Sequence, residues 1–543
     1  MTRATIYGLT ALAVLFAALL AHHLWGHGGH FGFDDMHYAR WAKLLAEGRF
    51  RTTDDHYTFR WGLIAPLGLS YRLFGVSDHS SAVTALLATL LTLWCVWLLT
   101  ASLPVPARVW AMAFTAFSEW VFFYSNKIMP DVLVMFWVTA AVTVWFRQMR
   151  REQTAPDQVQ KGWAWRPVAT VAALFAAFLS KESVFLVVPL FAYLLISDVL
   201  QGKNRRYWLL TTVFGAVCLI AYLGWCAAVL GHPLARAQAI SANSYFNPCS
   251  YDQLPIAHTL RRIGYELWGV FLNTGVLLGA VFAVPALFSR KIRTWLQPRT
   301  EKDHLLFLGL AMVLLSNFMS TSPKAYIPLC VDIRHYLFAV PFVAAAAAVG
   351  VVEWLETRAR WQSILILGLT VAATAWSWLH YPEGLYVYVA LIPVWLLCWW
   401  TSSKPLVWTL LFLPLLVKPA LVMRNAFQSN YPSQKAMVRK YITKNTPPNT
   451  LVVTNPAECN IDAYLLGFDS SNVQFVPFKA LTPEMATRAD SIVLILNGLT
   501  AWMSNMDWED YPAWVREGEA ERVLMEKQDG VEWFGVRRPL HVR

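Results

Sequence analysis

Apolar runs of about twenty residues, recurring along the chain, restrict its fold more than any other feature. In hydrocarbon the backbone N–H and C=O groups have no water to bond, so a lone continuous run crosses the bilayer as an α-helix. Such runs fall near residues 6–25, 82–103, 107–125, 130–147, 167–180, 183–199, 208–230, 267–289, 304–320, 336–353, 362–379, 385–400 and 405–423. They predict a polytopic α-helical membrane protein with about 13 transmembrane helices, the pair 167–180 and 183–199 being short enough to form one bent element. Composition agrees, with 57% hydrophobic and 15% charged residues, against roughly a quarter charged in soluble domains.

The net charge of +11 does not point to nucleic acid, because Lys and Arg sit in short clusters between apolar runs, where they set topology and meet lipid headgroups. The first span follows Arg3 but precedes no small-residue cleavage site, so it reads as a retained anchor. With the N-terminus inside, the basic loops alternate as the positive-inside rule demands, at Arg108, Arg147 to Arg166, Lys203 to Arg206, Arg290 to Lys302, Arg358 to Arg360, and Lys404. The opposite loops, 26–81, 126–130, 181–182, 231–266, 321–335 and 380–384, then face outward. An odd span count puts the tail outside as well. Residues 430–543 carry strand-like runs such as "TLVVT", "SIVLIL" and "EWFGV" beside helical ones, and predict a small extracytoplasmic α/β domain. Residues 1–425 then form the membrane module, with 26–81 as its first outer loop.

Charged residues recur at the outer ends of these spans. The adjacent Asp34 and Asp35 open an amphipathic run that places Tyr38, Trp41, Ala42 and Leu45 on one helical face. Capping explains one aspartate but not two. Asp131 follows Pro130 in the first turn of a span, where the helix dipole alone favours a carboxylate. Lys181 and Glu182 occupy a turn almost without a loop; there a charge marks topology or lines a polar cavity. Asp332, Arg334, His335 and Tyr336 begin a later span, and an arginine there suits either a lipid headgroup or a substrate phosphate.

In order, "DDMHYARWAKLLAEGRF", "YTFRWGLIAPLGLSYRLFG", "MPDVLVMFW", "SKESVFLVVPL" and "RHYLFAVPF" resemble the membrane-embedded GT-C glycosyltransferases. Among these the chain is similar to the protein O-mannosyltransferases and the lipid A aminoarabinose transferases. The resemblance implies transfer of a sugar, with inversion, from a polyprenyl-phosphate donor to a lipid, glycan or protein acceptor. It also implies a bacterial inner membrane, an active site facing the periplasm, and a periplasmic C-terminal domain. It casts Asp34, Asp35 and Asp131 as the catalytic carboxylates, with Arg60, Lys181 and Arg334 binding the donor phosphate. Tyr38, His335 and Tyr336 become further substrate contacts. The chain departs from the family pattern around Arg60. Trp61 and Gly62 replace the expected proline, and Phe59 stands where some relatives have a carboxylate, leaving Asp54 or Asp55 as substitutes.

These residue types suit the chemistry on their own account. Glycosyl transfer from a phosphate needs a base for the acceptor hydroxyl and positive charge for the departing phosphate. Which aspartate is the base stays open, as does metal dependence: no cofactor is certain, and a divalent metal is compatible with the site. The histidines 22, 23, 27, 30 and 37 beside Asp34 and Asp35 are one candidate ligand set, with interface histidines as the plainer reading. Cys249 and Cys330 both fall in outer loops and are expected to pair. The rival reading is a transporter or flippase for lipid-linked saccharides, which would carry charges deep in its spans and show related halves. Here the charges gather at span ends.

Overall fold

The computed structural model describes residues 3–154, 165–243, 248–291, 294, 297–322, 325–380, 382–429, 431–442, 448–469, 473–495, 521–528 and 531–537. Lys161, Arg293 and residues 244–247 of the Asn- and Tyr-rich outer loop lie outside this set. Among the described residues, eight helices are long and apolar enough to cross a bilayer, or nine if the bent pair Ile256–Asn273 and Leu277–Phe288 is one span. The difference from thirteen lies in runs that fold shorter or broken, and in Glu301–Phe318, which gives three of its 18 residues to charges. The run 107–125 becomes helices Val105–Phe117 and Glu119–Tyr124 on either side of Ser118. Helices Trp165–Ser180 and Gly384–Trp400 are apolar but short.

The chain divides into two compact units. The first comprises Met1–Leu24, Arg51–Leu63 and Ala82–Met423. At its centre, helix Val340–Thr357 is buried over nearly its whole length. Its run of small residues, "AAAAAVG", admits close neighbours, and it packs against helices Val105–Phe117, Leu277–Phe288 and Glu301–Phe318. Helix Pro130–Thr154 packs on Trp165–Ser180 and on the short helical turn Ile333–Ala339. Asp131, Lys181 and His335 stand where these three elements begin or end. At the opposite end of helix Pro130–Thr154, Arg150 donates to the Leu98 and Leu99 carbonyls, each at 2.8 Å. Those oxygens close a helix C-terminus and have no partner within it.

The second unit comprises Trp25–Phe50, Ile64–Ser81 and Arg424–Arg543. It holds a sheet of five strands: β1 (Thr450–Thr454), β2 (Val473–Pro477), β3 (Ser491–Ile495), β4 (Glu521–Gln528) and β5 (Val531–Arg537), in the order β2-β1-β3-β5-β4. The first three are parallel, and β5 and β4 extend the sheet antiparallel. Every residue of β1, "TLVVT", is buried, as expected of a central parallel strand covered on both faces. Helix Asp34–Ala46 packs on helix Pro456–Leu465, burying Tyr38, Ala39 and Ala42. Of the expected face, Tyr38 and Ala42 are buried, while Trp41 and Leu45 are only partly so and Ala39 takes a buried place.

Candidate active site

In the first unit, three sequence-distant segments bring their charges together. Lys181 Nζ donates to Asp131 Oδ1 at 2.6 Å and lies 2.8 Å from His335 Nδ1, which is itself 3.3 Å from the same Asp131 oxygen. Asp131 Oδ2 is buried without a hydrogen-bond partner. Burial pushes the Lys181 ammonium below the usual lysine range; Asp131 opposes this, and the nearby Arg60 and Arg334 guanidinium groups add to it. Arg334 pairs with Asp332 at 2.7 Å, and Asp332 also caps the turn by accepting from the Arg334 backbone N–H.

Arg60 joins this cluster through Glu182, whose Oε2 lies 3.4 Å from Arg60 Nη2. The other Glu182 oxygen accepts from Arg236 Nη2 at 2.7 Å and Nε at 3.1 Å. Glu182 is therefore the carboxylate that sets Arg60, in place of the expected Asp54 or Asp55. Asp55 instead caps the His56–Phe59 turn by accepting from the Tyr57 N–H. The missing proline has a physical reason too. A Cβ on Gly62 would collide with the Ser180 hydroxyl and come within 2.7 Å of its backbone nitrogen, so glycine lets the Arg60 segment approach Lys181.

Arg236 escaped the sequence reading. Its only signal is a lone arginine just past a span end, in "HPLARAQAI". Its guanidinium lies 4.4 Å from the centre of the Phe178 ring, and its Nη1 is buried with no hydrogen bond. Arg262 was also missed. Fully buried, it donates to the Leu329 carbonyl, Asn317 Oδ1, the Ser316 carbonyl and the Tyr336 hydroxyl. Tyr336 Oη lies 2.6 Å from the Cys330 carbonyl. Cys330 is bonded to Cys249, as expected. Arg262, Tyr336 and the disulfide thus brace the segment that delivers Arg334 and His335. Tyr336, 2% exposed, serves that brace from within the packing.

Asp34, Asp35 and Tyr38 belong to the second unit. Asp34 and Asp35 are the first two residues of helix Asp34–Ala46, and they differ in setting. The Asp35 carboxylate is buried and accepts from the backbone N–H groups of Phe31 at 2.7 Å and Phe33 at 3.0 Å, so it folds the turn before the helix. Asp34 is half-buried. Tyr38 is wholly buried within the unit. The histidines also separate. His22 stacks on Phe122 in the first unit, whereas His27 and His30 meet Asp78 in the second.

Helices of bilayer length with a charged cluster at their ends define the chain as a polytopic membrane protein, whose fold is that of two solved structures. The family model for dolichyl-phosphate-mannose-protein mannosyltransferase matches residues 65–225. The crystal structure of ArnT from Cupriavidus metallidurans in the apo state is similar, with a TM-score of 0.56 at 13% identity, over 97% of this chain and 98% of that one. The structure of the same protein bound to undecaprenyl phosphate gives a TM-score of 0.56 at 13% identity, over 98% of this chain and 97% of that one. No curated protein sequence matches the chain.

Proposed function

We propose that this protein transfers a sugar from a polyprenyl-phosphate donor to a lipid, glycan or protein acceptor, with inversion, at the outer face of a bacterial inner membrane. The observation that carries this reading is the cluster of Lys181, Arg60, Arg236, Arg334 and His335, held by Asp131, Glu182 and Asp332, with Lys181, Arg236 and Asp131 buried and the rest partly exposed. Positive groups fixed by carboxylates at a partly shielded surface are organised to receive a phosphate without rearranging. The likeness to a protein whose structure holds undecaprenyl phosphate supports the same reading.

In this mechanism a carboxylate, assigned to Asp34 on the family resemblance alone, takes the proton of the acceptor hydroxyl, whose oxygen attacks the anomeric carbon from the face opposite the phosphate. The bond from that carbon to the phosphate oxygen breaks, and Lys181 and Arg60 neutralise the charge gathering on the departing polyprenyl phosphate. Arg334 orients the donor, and Asp131 keeps Lys181 charged. Asp35 holds the loop that carries Asp34. The periplasmic placement of residues 430–543 and of the first outer loop belongs to the same proposal.

The test is a comparison of envelope glycolipids and glycoproteins, by mass spectrometry, between a deletion strain and its parent. Loss of one sugar from one acceptor, restored by the wild-type gene and not by Asp34→Asn, is the expected result. An unchanged envelope with accumulated lipid-linked saccharide on the inner face would favour a flippase.

A further inference from the structure

The sequence "HGGH", residues 27–30, has no part in the proposed transfer reaction. Gly29 adopts φ +103°, a conformation side-chain-bearing residues avoid, and the turn brings both histidines onto Asp78. One ring nitrogen of each histidine and one Asp78 oxygen all lie within 4.8 Å of one another. His30 Nε2 is 3.1 Å from Asp78 Oδ1, close to the ~3.3 Å that separates two ligands of a tetrahedral zinc ion with bonds of about 2.0–2.1 Å.

We propose that His27, His30 and Asp78 bind a divalent transition metal of the zinc class. Two imidazoles and a carboxylate are a donor set suited to zinc. The surroundings are those of a built site. The His30 side chain is 1% exposed, and its Nδ1 lies 3.7 Å from Asp35 Oδ2 without a hydrogen bond. A carboxylate behind the far nitrogen of a ligating histidine fixes the ring and its tautomer. Tyr464 closes over His30 with ring centres 4.6 Å apart, and Tyr431 stands edge-on to both histidines.

Asp78 is held from several sides. Its Oδ1 accepts from the Tyr431 hydroxyl at 2.8 Å and the Tyr464 hydroxyl at 3.3 Å, and Lys435 Nζ lies 2.6 Å from Oδ2. Lys435 engages Oδ2, so the metal takes Oδ1, the oxygen that faces His30 and that the two tyrosine hydroxyls also orient. The ion joins the loop before Asp34 to the residues around Asp78 and is structural. The alternative, with no ion, is His30 bridging Asp35 and Asp78 through its two ring nitrogens.

Full-length protein, purified in detergent with any histidine tag removed, should contain about one zinc per chain by elemental analysis. After chelation it should rebind cobalt(II) with the intense visible bands of a tetrahedral site, and its unfolding midpoint should fall and then recover with zinc. His27→Gln should lower cobalt affinity at least tenfold, whereas Asp34→Asn should leave it unchanged. Wild-type protein with only trace metal and no tetrahedral cobalt spectrum would overturn the site and leave the bridging His30. Because the wild-type measurement decides this, a misfolded variant does not obscure it. Loss of cobalt binding in Asp34→Asn would overturn the ligand set.

Discussion

Lys181 and Asp131 form a buried ion pair, 2.6 Å from Nζ to Oδ1, between residues fifty positions apart at the ends of two packed helices. Removing one partner strands the other charge, which typically costs about 3–5 kcal/mol, whereas replacing both with apolar groups of similar size costs far less. Asp131→Leu and Lys181→Met should each lower the unfolding midpoint, and the double variant should recover much of the loss. Sugar transfer should be absent in all three. A double variant as unstable as the sum of the singles would show that the pair has no mutual role in folding.

The depressed Lys181 pKa sets a direction for activity against pH. An exposed lysine loses its proton near pH 10.4. Burial lowers that point here, so Lys181 becomes neutral at a lower pH. Affinity for a lipid phosphate should therefore weaken as pH rises, seen as a climbing KM on the alkaline side. Lys181→Arg keeps its charge across the range and should flatten that limb even where its turnover is reduced. An alkaline limb unchanged by this substitution would assign it to another group.

Asp34 and Asp35 should respond differently to the same substitution. Asp35→Asn puts an amide N–H₂ against one of two backbone donors, at Phe31 or Phe33, and should destabilise the loop by about 1–3 kcal/mol. Asp34→Asn should abolish transfer and lower the unfolding midpoint less than Asp35→Asn does, since the half-buried Asp34 keeps its shape at the helix start, where asparagine is also well tolerated. Transfer retained by Asp34→Asn and lost by Asp35→Asn, with folding intact, would exchange the two roles.

The contrast between Asp34 and Asp35 shows how far the sequence can be read. Apolar run length and the position of charges at run ends mark out Asp131, Lys181, Arg334 and His335, because both signals are local. The partner of Arg60 was not legible. Glu182 lies more than a hundred residues on, and only the approach permitted by Gly62 brings it near. Arg236 and Arg262 escaped for the same reason, as single arginines whose partners come from other helices. Helix breaks such as Ser118 are set by tertiary packing and leave little trace in hydropathy.

Asp462 offers a test of the second unit that involves no substrate. It is fully buried, its Oδ2 has no hydrogen-bond partner, and Oδ1 takes one bond from Gln434 at 3.3 Å. Burial first, and then the nearby Glu458, push its carboxyl well above the usual carboxylate range. Below about pH 4 the folded and unfolded states are both protonated at this position and pay no difference. As pH rises, the unfolded chain ionises first and binds fewer protons than the folded one, so stability falls until the folded pKa is passed. Asp462→Asn removes the ionisable group and should raise the unfolding midpoint at pH 7 while changing it little at pH 4. A gain of 1 kcal/mol corresponds to roughly 2–4 °C for a unit of this size. A midpoint lowered at pH 7 would mean that Asp462 is ionised in the folded state and held by a positive partner.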